Sequence, residues 1–236
     1  MQIFIDDIEI RVEKKKIKNL HIYVKSENDI LLTAPKYVSN AQIREFVREK
    51  EDWIRNSIEK MREKSFNRED VYKTGEILRV WGDLYTLRVQ YGSGYALELE
   101  DGGEDDGENK GVKFATLTVK ESSTDEQIAH FVTEWYRSEL TERVNILLPK
   151  WEAYTGLKCS SWQSKSMKTR WGTCNTGTKK IWLNVQLAKY PTACLEYVIL
   201  HELAHTKVPN HGEDFKRILD MYMPEWKMIR KMMRNI

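Results

Sequence analysis

Residues 2–12 alternate apolar and polar through Ile3, Ile5, Ile8, Ile10 and Val12, slipping once at Asp6-Asp7. A period of two predicts a β-strand with one buried face and a turn or bulge at the slip. Runs at 20–25 and 30–34 predict two further strands joined by a hairpin loop at Glu27-Asn28-Asp29, and all three predict one sheet. The period then changes. Ser39 and Gln42 stand three apart as a capping box, and Ile43, Phe46, Val47, Ile54, Ile58 and Met61 follow at helical spacing, which predicts one long helix over 39–64. Its other face alternates Arg, Lys and Glu and reads as solvated.

After Gly75 the alternation returns over 77–81, 84–91, 95–100 and 112–119, with turns predicted at Gly82-Asp83 and Gly92-Ser93-Gly94. The acidic, glycine-rich stretch 100–108 lacks the ligand order of an EF-hand loop and reads as a hairpin tip. Thr124 with Gln127 opens a long helix that carries Ile128, Phe131, Val132, Trp135, Leu147, Leu148 and Trp151, bent or interrupted at Pro149. Two strands, 161–170 and 179–183, are predicted around a turn at Cys174-Asn175-Thr176-Gly177. Thr192, as N-cap after Pro191, opens an apolar helix through Leu195, Val198, Ile199, Leu200, Leu203 and Ala204. Residues 213–234 carry Phe215, Ile218, Leu219, Tyr222, Trp226, Ile229 and Met233 at helical spacing with a break at Pro224, the pattern of a helix pair closing a core.

Composition narrows the class. A chain of 236 residues can bury a sizeable core as one large domain or two small ones, and 31% charged residues with a mean hydropathy of −0.61 imply a well-solvated surface. The 38 Lys and Arg against 36 Asp and Glu leave a net charge of +2, which favours no polyanion partner. A nucleic-acid surface is possible only as a local basic patch. Cys159, Cys174 and Cys194 form no C-x-x-C pair and are odd in number, as expected in a reducing compartment. Cys174 reads as a small half-buried thiol, with a metal ligand or nucleophile as the alternative. The amino terminus has no basic region followed by an apolar stretch, and no run approaches about 18 apolar residues, so a cytoplasmic protein without membrane association is expected.

The candidate chemistry lies at residues 201–211, His-Glu-Leu-Ala-His-Thr-Lys-Val-Pro-Asn-His. His201 and His205 are four apart, so on a helix both imidazoles reach one metal from the same face. Glu202 then points to the edge of that face, the general-base position of an H-E-x-x-H metallopeptidase. Pro209 should end the helix and turn the chain back, bringing His211 within reach as a third ligand. Metzincins have the same offset, but Val208 stands where they have glycine. His211 could instead cap the next helix, and Glu213 and Asp214 are alternative ligands or acceptors for a histidine N–H. Tyr197, one turn before His201, either faces the site as a proton donor or packs in the core. Lys165, Lys168, Arg170, Lys179 and Lys180 place positive charge on the 161–183 segment, read as a solvated face, a cleft for acidic peptide or nucleic acid, or a phosphate clamp. Arg170 is the best substrate-binding candidate, since a guanidinium holds a carboxylate or phosphate bidentately.

The runs Thr169-Arg170-Trp171-Gly172-Thr173-Cys174, Ile181-Trp182-Leu183-Asn184, Tyr197 through His205 and Pro209-Asn210-His211 resemble the YgjP-like metal-dependent hydrolases, relatives of the SprT and WLM peptidases among the zincins. A looser similarity runs through Asn19-Leu20, Ala34-Pro35 and Trp53-Ile54. The resemblance implies one Zn²⁺ per chain on His201, His205 and His211, with Glu202 catalytic. The expected fold is α+β: a β-rich amino-terminal region, 1–120, containing the 39–64 helix, then a compact zincin-like helical core, 121–236, with an edge β-hairpin. By analogy with zincins, one strand of that hairpin would accept an extended peptide by strand addition. The leading expectation is a zinc-dependent peptidase acting on peptide or protein substrates. Its alternatives are a metal-dependent hydrolase of nucleotide or other phosphate substrates, and a nucleic-acid or protein-binding module with a structural zinc closed by a fourth ligand.

Overall fold

The computed structural model describes residues 2–5, 8–26, 29–66, 72–101 and 112–234. The amino-terminal alternation forms β1 (Gln2–Ile5) and β2 (Ile8–Lys15), an antiparallel pair in which Ile3 faces Ile10. β3 (His21–Ser26) and β4 (Asp29–Pro35) form a second antiparallel pair, and β4 runs parallel to β2, giving the single sheet β1-β2-β4-β3. The turn expected at Asp6-Asp7, the Glu27-Asn28 part of the second hairpin loop and residues 102–108 of the acidic stretch lie outside the described residues.

The expected single helix over 39–64 is two helices, α1 (Asn40–Glu49) and α2 (Glu51–Phe66). The backbone leaves the helical region at Lys50, with φ −97° and ψ 5°, yet Lys50 N–H still donates to the Phe46 carbonyl and Ile54 N–H to that of Lys50. Hydrogen bonds therefore carry across the bend, and Ile43, Val47, Ile54 and Ile58 stay on one buried stripe. With Ile10, Leu32 and their neighbours they form one hydrophobic cluster. The Ser39 capping box forms as expected.

A second sheet holds β5 (Ile77–Val80), β6 (Asp83–Tyr91), β7 (Ala96–Glu100) and β8 (Lys113–Val119) in the order β5-β6-β8-β7. It shares a hydrophobic cluster with α3 (Asp125–Thr155), whose buried residues Ile128, Val132, Tyr136, Leu140, Val144 and Leu148 recur every four positions. α3 runs on through Pro149, where a bend or interruption was the expectation. The proline forfeits one hydrogen bond, but Leu147, Leu148 and Trp151 are buried on either side and hold the helix in place.

The two strands expected from 161–170 and 179–183 are three: β9 (Ser161–Lys165), β10 (Gly172–Asn175) and β11 (Lys180–Asn184). β10 and β11 form the antiparallel hairpin, while β9 joins the far side of β11 in parallel, so the order is β10-β11-β9 and β10 is an edge. A 3₁₀ turn, Val185–Lys189, leads to α4 (Thr192–His205), followed by α5 (Glu213–Tyr222) and α6 (Trp226–Arg234), which separate at Pro224 as expected. Thr192 does not cap α4. Its hydroxyl accepts instead from the Arg143 guanidinium, and Pro191 occupies the cap position. No helix among the described residues is long and apolar enough to cross a membrane.

The turn between β5 and β6 ties the second sheet to the start of α4. Trp81 N–H donates to the Ala188 carbonyl at 2.8 Å, and Trp81 Nε1–H donates to Glu139 on α3 at 3.0 Å. Gly82 has φ +92°, and a Cβ there would lie 2.7 Å from Pro191 Cγ; Gly75 has φ +94° but open space around it. Gly82→Ala therefore combines backbone strain with a clash and should cost about 1–3 kcal/mol. Gly75→Ala should cost visibly less in denaturant unfolding; equal losses would show that the Pro191 contact carries no weight.

Candidate metal centre

α4 is nearly all buried: Cys194, Leu195, Tyr197, Val198, Ile199, Leu200, Glu202, Leu203 and Ala204 are enclosed by sheet and helices. Apolar burial of this kind fixes a helix through packing, but it penalises any polar side chain left without a partner. His201 and His205 sit one turn apart on it, their ring centroids 4.9 Å from each other. After Thr206 the chain turns as Pro209 was expected to make it. Asn210 Oδ1 accepts from Gly212 N–H at 3.3 Å, and His211 is carried back to the helix.

The three Nε2 atoms converge. They lie 3.3 Å apart between His201 and His205, 3.1 Å between His205 and His211, and 3.0 Å between His201 and His211. Ligands at 2.0 to 2.1 Å around a tetrahedral zinc would stand about 3.3 Å apart. His205 Nδ1 is 3.0 Å from the Val208 carbonyl, which can only accept, so its proton lies there and its Nε2 offers a lone pair to the other rings. Burial, with the neighbouring His205 and His211 and with Arg230, holds His201 well below the usual imidazole range. Burial also lowers His205, partly opposed by its hydrogen bond to Val208. Imidazole nitrogens aimed at one point fit a cation, and these three residues could hold a metal ion.

Glu202 is 4% exposed and lines the same cleft, a space of about 440 Å³. Burial pushes its carboxyl up to about 8, with the Arg170 charge pulling the other way. No hydrogen bond reaches that carboxyl among the described residues. The alternatives to His211 are placed otherwise: Glu213 pairs with Lys216 and Asp214 with Arg217, both exposed, and the helix cap is Gly212. Cys174 lines the cleft outside the histidine group, and burial, reinforced by the Glu202 charge, pushes its thiol up to about 11. Such a thiol is protonated at neutral pH and a poor nucleophile. Tyr197 does face the site, with its hydroxyl 3.4 Å from His201 Nδ1 and its ring stacked on Trp226. Arg170 lines the cleft beside Trp171, Gly172 and Thr173.

Residues 18–236 match the model of a family described as the YgjP-like metallopeptidase domain. The chain belongs to the YgjP-like metallopeptidases. Among solved structures, it is similar to the metallopeptidase zymogen of Methanocaldococcus jannaschii jannalysin, with 26% identity over 38% of this chain and 92% of that one and a TM-score of 0.35. No protein of the curated set matches.

Three residues of this YgjP-like chain support the centre in roles that no spacing in the sequence indicates. Phe215, the first buried residue of α5, lies with its ring centroid 4.7 to 4.8 Å from all three imidazoles. Asn184, at 0% exposed, donates through Nδ2 to the Met167 and Arg170 carbonyls at 2.9 and 2.7 Å, and its Oδ1 accepts from Gln186 N–H. Asn184 N–H also donates to the Trp171 carbonyl at 2.8 Å. One buried residue thus pins the connection that leads into β10. Gly172 is the third. A Cβ there would lie 2.6 Å from Glu202 Oε1 and 2.8 Å from Val198 Cγ1. Only hydrogen fits between the edge strand and the carboxyl, so Gly172→Ala should displace Glu202. A shift of about 1 Å in an active site can cost on the order of 100-fold in rate, and peptidase kcat in that variant is expected to fall by about that much. Gly177→Ala, in the same hairpin with only an ordinary 3.4 Å contact to Asn175, is the control and should stay near wild type.

Proposed function

We propose that this metallopeptidase is a zinc-dependent hydrolase of peptide bonds, with zinc on His201, His205 and His211 and Glu202 as its general base. The observation that carries the reading is the convergence of three imidazole nitrogens beside a buried carboxyl in one cleft. The ligand set favours zinc, because three nitrogen donors that leave a fourth position open are the pattern of catalytic zinc sites. No fourth His, Cys, Asp or Glu joins the group among the described residues, which speaks against a closed structural site.

When bound, zinc would polarise the scissile carbonyl, stabilise the charge that develops on its oxygen and favour the carboxylate form of Glu202. Glu202 would take the proton from the attacking water and deliver it to the leaving amine. Its buried position excludes bulk solvent from that exchange, and Gly172 leaves its carboxyl room against β10. Phe215 and the Val208 carbonyl keep the imidazoles oriented, and Tyr197 reaches His201 from the far side of its ring. Among the described residues the outer edge of β10 pairs with no other strand, and Gly172, Thr173 and Cys174 on it line the cleft. An extended peptide added there would place its main chain across the centre.

In Glu202→Gln the imidazoles remain, so the variant should keep about one zinc per chain while kcat on a peptide substrate falls by roughly 10² to 10⁴. Elemental analysis alongside a casein-derived peptide assay reads both quantities. Activity persisting in that variant, or surviving chelation of wild-type enzyme, would remove the mechanism.

A further inference from the structure

Tyr197 and His201 stand one turn apart on α4, so the helix brings their side chains together on one face. The rings meet at 66° with centroids 5.7 Å apart, and the Tyr197 hydroxyl lies 3.4 Å from His201 Nδ1. Tyr197 is 7% exposed, and its ring stacks on that of Trp226 from α6, 6.4 Å between centroids and 4° from parallel. Trp226 is buried in turn, and its Nε1–H donates to Asp220 of α5 at 2.8 Å. Contacts from three helices therefore fix where the phenol oxygen stands.

The hydroxyl meets the nitrogen on the other side of the ring from the histidine cluster. His201 Nε2 points to His205 and His211, and a neutral imidazole binds a cation through Nε2 only when its proton is on Nδ1. In His205 that proton is fixed by the Val208 carbonyl, an atom that can only accept. A phenol oxygen accepts in the same way while its own O–H donates in another direction. A hydroxyl that donated to His201 Nδ1 would instead leave the ring proton on Nε2 and remove that nitrogen from a metal shell.

We propose that Tyr197 is a positioning residue that holds the Nδ1 proton of His201 and so keeps Nε2 open as a metal ligand. The proposal deepens the three-histidine zinc reading and rests on it. A partner set behind a ligating histidine in this way is worth about 10- to 100-fold in metal affinity. At 3.4 Å the bond is long, which puts the effect at the lower end, about tenfold. Tyr197 also lines the cleft, so the competing role for its hydroxyl is proton donor to the leaving amine. The two roles separate by what the hydroxyl controls. A positioning residue sets how tightly zinc is held, and a proton donor sets how fast the loaded enzyme turns over.

The test compares full-length wild type with Tyr197→Phe, which keeps the ring and its stacking on Trp226 and removes only the hydroxyl. Zinc affinity is read by competition with a chromophoric chelator, and kcat is read at saturating zinc on a casein-derived peptide. Tyr136→Phe is the structural control, because its hydroxyl donates to the Arg79 carbonyl at 2.7 Å outside the cleft. Tyr197→Phe should bind zinc about tenfold more weakly, with kcat at saturation down by no more than about threefold. Tyr136→Phe should lose unfolding stability and keep the wild-type zinc affinity. Zinc affinity within about twofold of wild type in Tyr197→Phe, or an equal weakening in Tyr136→Phe, would overturn the positioning role. So would a kcat loss of about 100-fold at unchanged zinc affinity, which would make Tyr197 the proton donor. Any of these leaves the zinc reading standing as long as wild type binds the metal; wild type that takes up no zinc would overturn both.

Discussion

The constraint on which this structure turns is the convergence of three imidazole Nε2 atoms to within 3.0 to 3.3 Å of one another on and beside an apolar helix. Burial disfavours protonation of His201 and His205, so an approaching cation meets ring nitrogens there and not positive charge. The fold has to hold three rings from two segments in that arrangement. It does so with Phe215 packed on all three and with the Val208 carbonyl fixing one ring's proton. The buried, apolar character of α4 is what makes the arrangement rigid.

The same economy of space governs the opposite wall. Asn184 is buried completely and spends its side chain on main-chain groups of the segment 167–170 and on Gln186. A buried amide is tolerable only when its donors and acceptors are paired, so satisfying Asn184 and positioning that segment are one event. The segment delivers Arg170 to the cleft and Gly172 to the face of Glu202. A side chain closed to solvent thus decides where the Glu202 carboxyl can lie.

Much of this was legible in the sequence because it depends on local spacing. The interval of four between His201 and His205 needs only a helix, and the capping boxes at Ser39 and Thr124 need only three residues of context. The alternating runs marked the strands of the first two sheets for the same reason. What stayed hidden depends on partners distant in sequence. β9 pairs in parallel with β11 across the hairpin, and no periodicity announces a parallel neighbour or the loop that separates β9 from β10. Thr192 has the residue type of a cap but meets Arg143 from α3 instead. Phe215 looks like any apolar position of an amphipathic helix, and nothing in the spacing around Gly172 tells that it lies against the Glu202 carboxyl.

The account stands on three imidazoles and no sulfur around a single zinc. X-ray absorption spectroscopy of the zinc-loaded full-length protein reads that shell directly. The result expected is one zinc per chain with nitrogen or oxygen donors at about 2.0 to 2.1 Å and outer-shell scattering from three imidazole rings. A sulfur donor at about 2.3 Å, which would bring Cys174 into the shell, or scattering from only two imidazoles would contradict it.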